Sequence, residues 1–315
     1  MNMNVATLTV NPTVDVSMEV DEVFHTHKMR GRNQRSDPGG GGICVARVLV
    51  RLGNNARCFY MSGGPTGVAL DGLLDLHQLV RTRIPIKGET RVASSVFERR
   101  SGREYRFVPD GPIIAPEEWQ ECLERLTDSE CDYLVASGSL ARGMPDDFYA
   151  RVAAMAKQRG IRFVLDSSGA GLAQGLAGGG VFLVKPSLGE LRNLTGEDLS
   201  TDEEIARAAR EIVERGEAGH VAVSMGHMGA LLASAAGVIR LPAIPVTARS
   251  SVGAGDSFLA AMVHALAQEW PIESALRLAV SAGAAAVLTP GSDLARPEDI
   301  QRFYKHLWDP LREEC

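Results

Sequence analysis

From about residue 130 onward, short apolar runs alternate with amphipathic stretches. Tyr133-Leu-Val-Ala, Phe163-Val-Leu, Val181-Phe-Leu-Val and Val221-Ala-Val each stop at a turn or helix signal. Runs this short and this apolar predict strands buried on both faces, and their rhythm predicts βαβ units of a parallel sheet. The N-terminal MNMNVATLTV lacks the positive flank and apolar core of a signal peptide and predicts a first strand. The N-terminal third then departs from this rhythm. Residues 14–20 (VDVSMEV) alternate apolar and polar positions, which predicts a half-exposed strand. Residues 91–99 and 104–108 flank Arg100-Ser-Gly-Arg103, which predicts a hairpin around a Ser-Gly turn. The expectation is an α/β domain, 1–315, with a small β-sheet lid formed from about 13–36 and 86–108. No internal repeat, low-complexity tract or charged tail divides it.

The buried strands end on polar residues: Ser137-Gly-Ser139, Asp166-Ser-Ser168, Lys185-Pro-Ser187 and Ser224-Met-Gly226. Ligands of open α/β sheets bind beyond the carboxyl ends of the strands, so these predict one extended cleft.

Composition narrows the classes. The 315 residues are 45% hydrophobic and 23% charged, ordinary for a globular enzyme with a sizeable core. A net charge of −6 speaks against nucleic acid or an anionic membrane as partner. The five cysteines (Cys44, Cys58, Cys122, Cys131 and Cys315) are scattered without a CxxC pair, which fits neither a disulfide framework nor zinc and predicts a cytoplasmic protein. No apolar run reaches the roughly 20 residues that span a bilayer. The cations are unevenly placed. Lys28, Arg30, Arg32 and Arg35 lie together with no acid among them, and residues 81–106 hold eight Lys/Arg against Glu89, Glu98 and Glu104. Such clustering in an acidic protein points either to solvated faces or to a bound anion.

Two glycine-rich segments carry candidate chemistry. Asp37-Pro-Gly-Gly-Gly-Gly42 runs into ICVARVL, where bare backbone lets a ligand approach and a helix start beneath it. It is not a Walker loop, since no Gly-Lys-Ser/Thr follows, and the GxGxxG spacing of a dinucleotide site is missing. The second, Val252-Gly-Ala-Gly-Asp-Ser257, feeds the apolar FLAAMVHALA. Free N–H groups at a helix start form an anion hole, and a carboxylate beside one is what phosphoryl transfer to a hydroxyl requires.

These two segments, in this order, resemble the ribokinase superfamily of sugar kinases, and within it the minor, non-Walker type of bacterial 6-phosphofructokinase. The resemblance runs along nearly the whole chain through Thr7-Leu-Thr-Val-Asn-Pro with Asp15, Tyr105-Arg-Phe-Val108, Ser137-Gly-Ser-Leu140, Asp166-Ser-Ser-Gly169, Lys185-Pro with Glu190, and Ser224-Met-Gly226. It implies a ribokinase-like three-layer α/β/α domain with a mostly parallel sheet, and ATP-dependent phosphorylation of a phosphorylated sugar. Asp256 matches the catalytic base, and the amides of Gly253, Ala254 and Gly255 the anion hole. Asp15, Gly39, Gly40, Cys44 and Ser139 match the sugar contacts, and Lys28, Arg30, Arg91 and Arg106 the cations that meet the substrate phosphate, some from a partner subunit. Lys185, Ser187, Ser224, Gly226, Gly229, Ser281 and Ala284 match the nucleotide side. Glu190 takes the acidic position that organises Mg2+ through water. Ser250, Val252, Ala286, Thr289 and Gly291 fall where relatives hold a monovalent cation such as K+. A homodimer clasped through the lid is implied as well.

Two positions depart from the pattern. Cys44 stands where relatives carry Asn, and a thiol is a weak donor and weak acceptor, a difference of about 0.5–1.5 kcal/mol for one bond. Ser187 stands where many have the Asn of an Asn-x-x-Glu magnesium motif, and its hydroxyl is expected to hold a metal-bound water. Gly41 bears on the acceptor: relatives acting on fructose 1-phosphate carry Lys there, so GGGG favours fructose 6-phosphate, with tagatose 6-phosphate close to it. Fructose 1-phosphate and a non-catalytic sugar-phosphate sensor are the alternatives.

Overall fold

The computed structural model describes residues 3–289, 291 and 293–308, and Cys315 lies outside the described residues. Among the described residues thirteen strands form two sheets. They are β1 (Val5–Thr9), β2 (Thr13–Val20), β3 (Arg32–Gly39), β4 (Ala56–Ser62), β5 (Val80–Pro85), β6 (Arg91–Glu98), β7 (Arg103–Phe107), β8 (Tyr133–Ser137), β9 (Arg162–Asp166), β10 (Val181–Val184), β11 (Ala218–Ser224), β12 (Ala230–Ser234) and β13 (Gly237–Leu241). The helices are α1 (Gly41–Arg51), α2 (Gly64–Leu76), α3 (Pro116–Thr127), α4 (Phe148–Gln158), α5 (Gly169–Ala177), α6 (Leu188–Thr195), α7 (Asp202–Glu214), α8 (Ala254–Ala267), α9 (Ile272–Ala286) and α10 (Pro297–Trp308).

The large sheet runs β13-β12-β11-β10-β9-β8-β1-β4-β5. Its pairings are parallel except β11 with β12 and β12 with β13, so β12 alone runs against the rest near one edge. Period-2 alternation sends successive residues of each strand to opposite faces. Val5, Tyr133, Val135 and Val164 join a core built with α1, α2, α8 and α9, while Ala6, Leu8, Leu134, Phe163 and Leu165 join a second core under α3, α4, α5, α6 and α7. Two apolar faces, each covered by helices, give the three-layer ribokinase-like arrangement.

β1 lies between β8 and β4, so the chain reverses its lateral direction of winding beside β1. That switch leaves a crevice at the carboxyl ends of β1 and β8, the place where open α/β sheets bind ligands. The segment α1 is rich in β-branched residues, poor helix formers on propensity alone. Its side chains Ile43, Val45, Val48 and Leu49 are fully buried, and this packing outweighs the propensity.

The small sheet has the order β3-β2-β6-β7, with β2 and β6 parallel and the other pairs antiparallel. The hairpin turns where expected, with Gly102 at φ 70° and its N–H donating to Glu98 O at 2.9 Å. The strict alternation expected of residues 14–20 is absent. Residues 15–19 are all half-buried, because neither face of this sheet is sealed on a core. The first strand pair also extends further than the sequence pattern suggested, since β3 continues to Gly39 while residues 21–31 form no strand. Among the described residues no helix is long and apolar enough to cross a membrane.

Candidate active site

The crevice at the switch point is a cavity of 290 Å³ between the two sheets. Its walls combine Asp15, Arg91 and Arg106 from the small sheet, Gly40, Gly41 and Cys44 from the start of α1, Ser137, Gly138, Ser139 and Asp166 from strand ends, Glu190 from α6, and Val252, Gly253 and Asp256 from the start of α8. Two glycines are required by this geometry. A β-carbon on Gly41 would collide with the Ser137 hydroxyl, so a larger residue there would displace the end of β8. Gly253, the N-cap of α8, sits at φ 73°, a left-handed conformation that lets the chain turn into the helix with its first amides exposed.

Asp256 occupies the first turn of α8. Its pKa is pushed up to about 7, first by burial and then by the nearby Asp166 carboxylate, against the pull of Lys185 and a hydrogen bond from the Cys44 thiol. Cys44 itself is held well above the ordinary thiol range, chiefly by burial and then by Asp256, so the neutral thiol is the donor. The position that the sequence suggested as a sugar contact therefore also touches the base.

Asp15, on β2, is raised to about 6, mainly by burial, with Arg106 and Thr13 opposing the shift. Its Oδ1 is buried without a hydrogen-bond partner. An orphaned carboxylate oxygen in a polar cleft is costly unless a ligand hydroxyl meets it. Gly39 pairs with Thr13 at the end of β3 behind this carboxylate, and Gly40 opens onto the cleft.

The four cations expected at a substrate phosphate separate into three groups. Arg106 lines the cleft, where its charge acts on Asp15, and its guanidinium makes no hydrogen bond or close ion pair among the described residues. Arg91 also lines it, but it donates to Pro109 O at 3.0 Å and to Asn11 O at 2.8 Å, so its guanidinium is largely spent on the loops around the cleft. Lys28 and Arg30 are exposed in the segment between β2 and β3 and do not reach the cleft of their own chain.

Lys185 follows β10 and forms a buried ion pair with Asp166 at 3.1 Å. Burial acts to lower its pKa, but Asp166 and Glu190 outweigh this and hold the ammonium above its ordinary value. A β-carbon on Gly255 would lie 3.5 Å from Lys185 Nζ, which places the ammonium beside the first turn of α8. Ser187 caps α6: its Oγ accepts from Glu190 N at 3.2 Å, and the Glu190 carboxylate accepts from Ser187 N at 2.7 Å. The Ser187 hydroxyl, expected at a metal-bound water, accepts one bond in this capping box and keeps its own O–H free to donate. Ser224 N donates to Pro186 O at 3.0 Å, and the turn behind it holds Gly226 at φ 56° and Gly229 at φ 98°. Ser281 is fully buried, and its hydroxyl donates to Arg277 O at 2.9 Å, so this side chain serves helix packing while Ala284 is partly exposed.

Among the described residues no three His, Cys, Asp or Glu side chains cluster as metal ligands. Mg2+ is typically held by one or two carboxylates together with substrate phosphates, and Asp166 and Glu190 on the cleft wall fit that demand. For a monovalent ion, Val252 and Gly291 face one small cavity. Ser250 N donates to Val287 O at 3.4 Å, and the Ala286 carbonyl already accepts from Thr289 N and Oγ1.

Residues to which the sequence assigned no role also shape the site. Asp166 pairs with Lys185 and raises the pKa of Asp256, and its place at a strand end was the available signal. Arg47 is buried and donates to Pro38 O at 3.1 Å, fixing the turn ahead of the glycines. Its single signal was an arginine on an otherwise apolar helix.

A family model described as pfkB family carbohydrate kinase matches residues 2–299. The chain is 41% identical over 308 residues to the ATP-dependent 6-phosphofructokinase isozyme 2 of Mycobacterium tuberculosis, covering 97% of this chain and 90% of that protein. A crystal structure of phosphofructokinase-2 from Escherichia coli in complex with substrates and products is similar at TM-score 0.92 and 36% identity, covering 96% of this chain and 99% of that one. Another, of the same protein in complex with potassium, is similar at TM-score 0.93 and 35% identity, with the same coverage.

Proposed function

The chain belongs to the pfkB family of carbohydrate kinases, and from that premise we propose that it transfers the γ-phosphoryl group of ATP to fructose 6-phosphate, giving fructose 1,6-bisphosphate. The observation that carries this reading is the meeting of three groups in one cleft: Asp256 with its raised pKa, the orphaned Asp15 carboxylate, and the unpaired Arg106. A neutral sugar would give Arg106 nothing to bind, whereas a phosphate on the acceptor gives it a charge-assisted partner.

In the reaction, Asp15 accepts hydrogen bonds from sugar hydroxyls and Arg106 holds the acceptor phosphate. The reacting hydroxyl lies against Asp256, which takes its proton as the oxygen bonds the γ-phosphorus and the bond to the ADP oxygen breaks. A base whose pKa lies near the working pH is suited to this step. The amides at the start of α8, with Lys185 beside them, stabilise charge on the moving phosphoryl group. Glu190 and Asp166 would hold Mg2+ through water, and the ion would supply neutralisation of phosphate charge.

Carbonyls of Ser250, Val252, Ala286, Thr289 and Gly291 are assigned to K+. A second copy of the chain is assigned to the small sheet, where Val92, Phe107 and Val108 are exposed; Lys28 and Arg30 would serve the partner's cleft. The free Cys44, Cys58, Cys122 and Cys131 support a cytoplasmic setting.

The test is ADP release measured against fructose 6-phosphate, fructose 1-phosphate, tagatose 6-phosphate and free fructose. Fructose 6-phosphate is expected to give the highest kcat/KM. A higher value for another phosphate overturns the acceptor assignment, and binding of the sugar phosphate without ADP release on any of them leaves a sensor.

A further inference from the structure

Glu104 is an acid in the arginine-rich part of the chain, and it stands two residues from Arg106 on the same face of β7. It opposes Phe97 across the hairpin, as Arg106 opposes Ser95. One carboxylate oxygen, Oε1, accepts from the Ser95 hydroxyl, which fixes the side chain on its own sheet. The other, Oε2, accepts from Ser250 Oγ at 3.3 Å, across the gap between the two parts of the molecule. Ser250 Oγ in turn accepts from Val252 N at 3.2 Å. Ser250 is 7% exposed, Val252 lies on the cleft wall, and the next residue, Gly253, caps α8.

We infer that Glu104 is a positioning residue that latches the small sheet onto the loop leading into α8, so that Arg106 and the phosphoryl-binding amides are held in register. The inference rests on the sugar-phosphate kinase reading above and extends it to a group that touches neither substrate. Its logic is geometric. Arg106 must hold the acceptor phosphate while the reacting hydroxyl sits at Asp256, and these two groups sit on β7 of the small sheet and in the first turn of α8. Glu104, Ser95, Ser250 and the Val252 amide form a continuous hydrogen-bonded path between them. Hydrogen bonds to a carboxylate are stronger than neutral ones, and this path is short enough to transmit position.

The experiment compares Glu104→Ala, Glu104→Gln, Ser250→Ala and the Glu104→Ala/Ser250→Ala double variant with the parent. Glu104→Ala is expected to raise KM for fructose 6-phosphate roughly three- to tenfold, with KM for ATP within about twofold of the parent. Glu104→Gln keeps an oxygen acceptor and should return most of the loss. The double variant should be no worse than Ser250→Ala alone, because both changes break one path. Additive effects, or an unchanged KM in both single variants, overturn the latch. Amide hydrogen exchange provides a readout independent of turnover: both single variants should speed exchange in 103–107 and in 249–253 together. If the parent phosphorylates no sugar phosphate, the kinase reading fails, and the exchange result alone then decides the latch.

Discussion

A carboxylate that takes a proton from a sugar hydroxyl near neutral pH cannot keep the low proton affinity of an exposed aspartate. Burial and the Asp166 charge lift Asp256 to about 7, while the Cys44 thiol and Lys185 stabilise its ionised form. General base catalysis typically contributes about 10²–10⁴-fold, so Asp256→Asn should lower kcat by that factor and leave ATP affinity near the parent value. A variant that turns over at the parent rate would reduce Asp256 to a helix-start residue. Removing the thiol donor with Cys44→Ala should shift the acid limb of the pH–rate profile upward, because the ionised base loses a hydrogen bond. A downward shift in a pH–rate titration would show that the thiol is not bonded to Asp256. The place of Asp256 was legible in the sequence, since a glycine turn running into an apolar helix marks a helix start with free amides and the carboxylate in its first turn. The thiol contact was not. Cys44 and Asp256 lie far apart along the chain, and the folded sheet alone brings α1 and α8 together at one strand end.

At the scale of elements, two arginines that look alike in the sequence are used differently. Arg91 opens β6 and is tied to Asn11 and Pro109 carbonyls, whereas Arg106 on β7 projects into the cleft without a partner. Arg106→Ala should therefore raise KM for the sugar phosphate by about tenfold or more while KM for ATP stays unchanged. Arg91→Ala should cost more in thermal stability than in KM, because it strands two loop carbonyls. Steady-state kinetics and thermal unfolding on both variants check the pair, and equal KM effects would restore the shared role that the family resemblance implied. Clustering revealed that cations gather in this sheet, but it carries no information on which backbone carbonyls claim them. The hairpin itself was legible from Ser-Gly flanked by alternating residues. The antiparallel pairings of β12 and β13 were not anticipated, since their short apolar pattern resembles that of the parallel strands beside them.

At the scale of the molecule, the two sheets enclose a cleft with a raised carboxylate on each side, Asp15 at about 6 and Asp256 at about 7. The parallel sheet and its covering helices were legible because both cores follow the same periodicities that the sequence displays. The cleft's electrostatics were not legible, because desolvation depends on how closely the small sheet approaches the large one. Stability records that cost. Both groups have folded pKa values above the ordinary 3.8, so between about pH 4 and 7 the native chain binds more protons than the unfolded chain. Their joint contribution makes the unliganded protein less stable as pH rises through that window. Carboxylates such as Glu98, lowered by bonds from Ser101 and the Val23 amide, act with the opposite sign at lower pH, so the parent's curve alone does not isolate the effect. A difference between parent and Asp256→Asn does. The amide never ionises, so the variant should be more stable by up to about 4 kcal/mol at pH 8, with the gain shrinking steadily toward pH 4. Urea unfolding at several pH values without ligands measures this directly. A gain that is absent at pH 8, or that grows as pH falls, would mean that Asp256 is not held up by burial, and the argument for its tuning as a base would go with it.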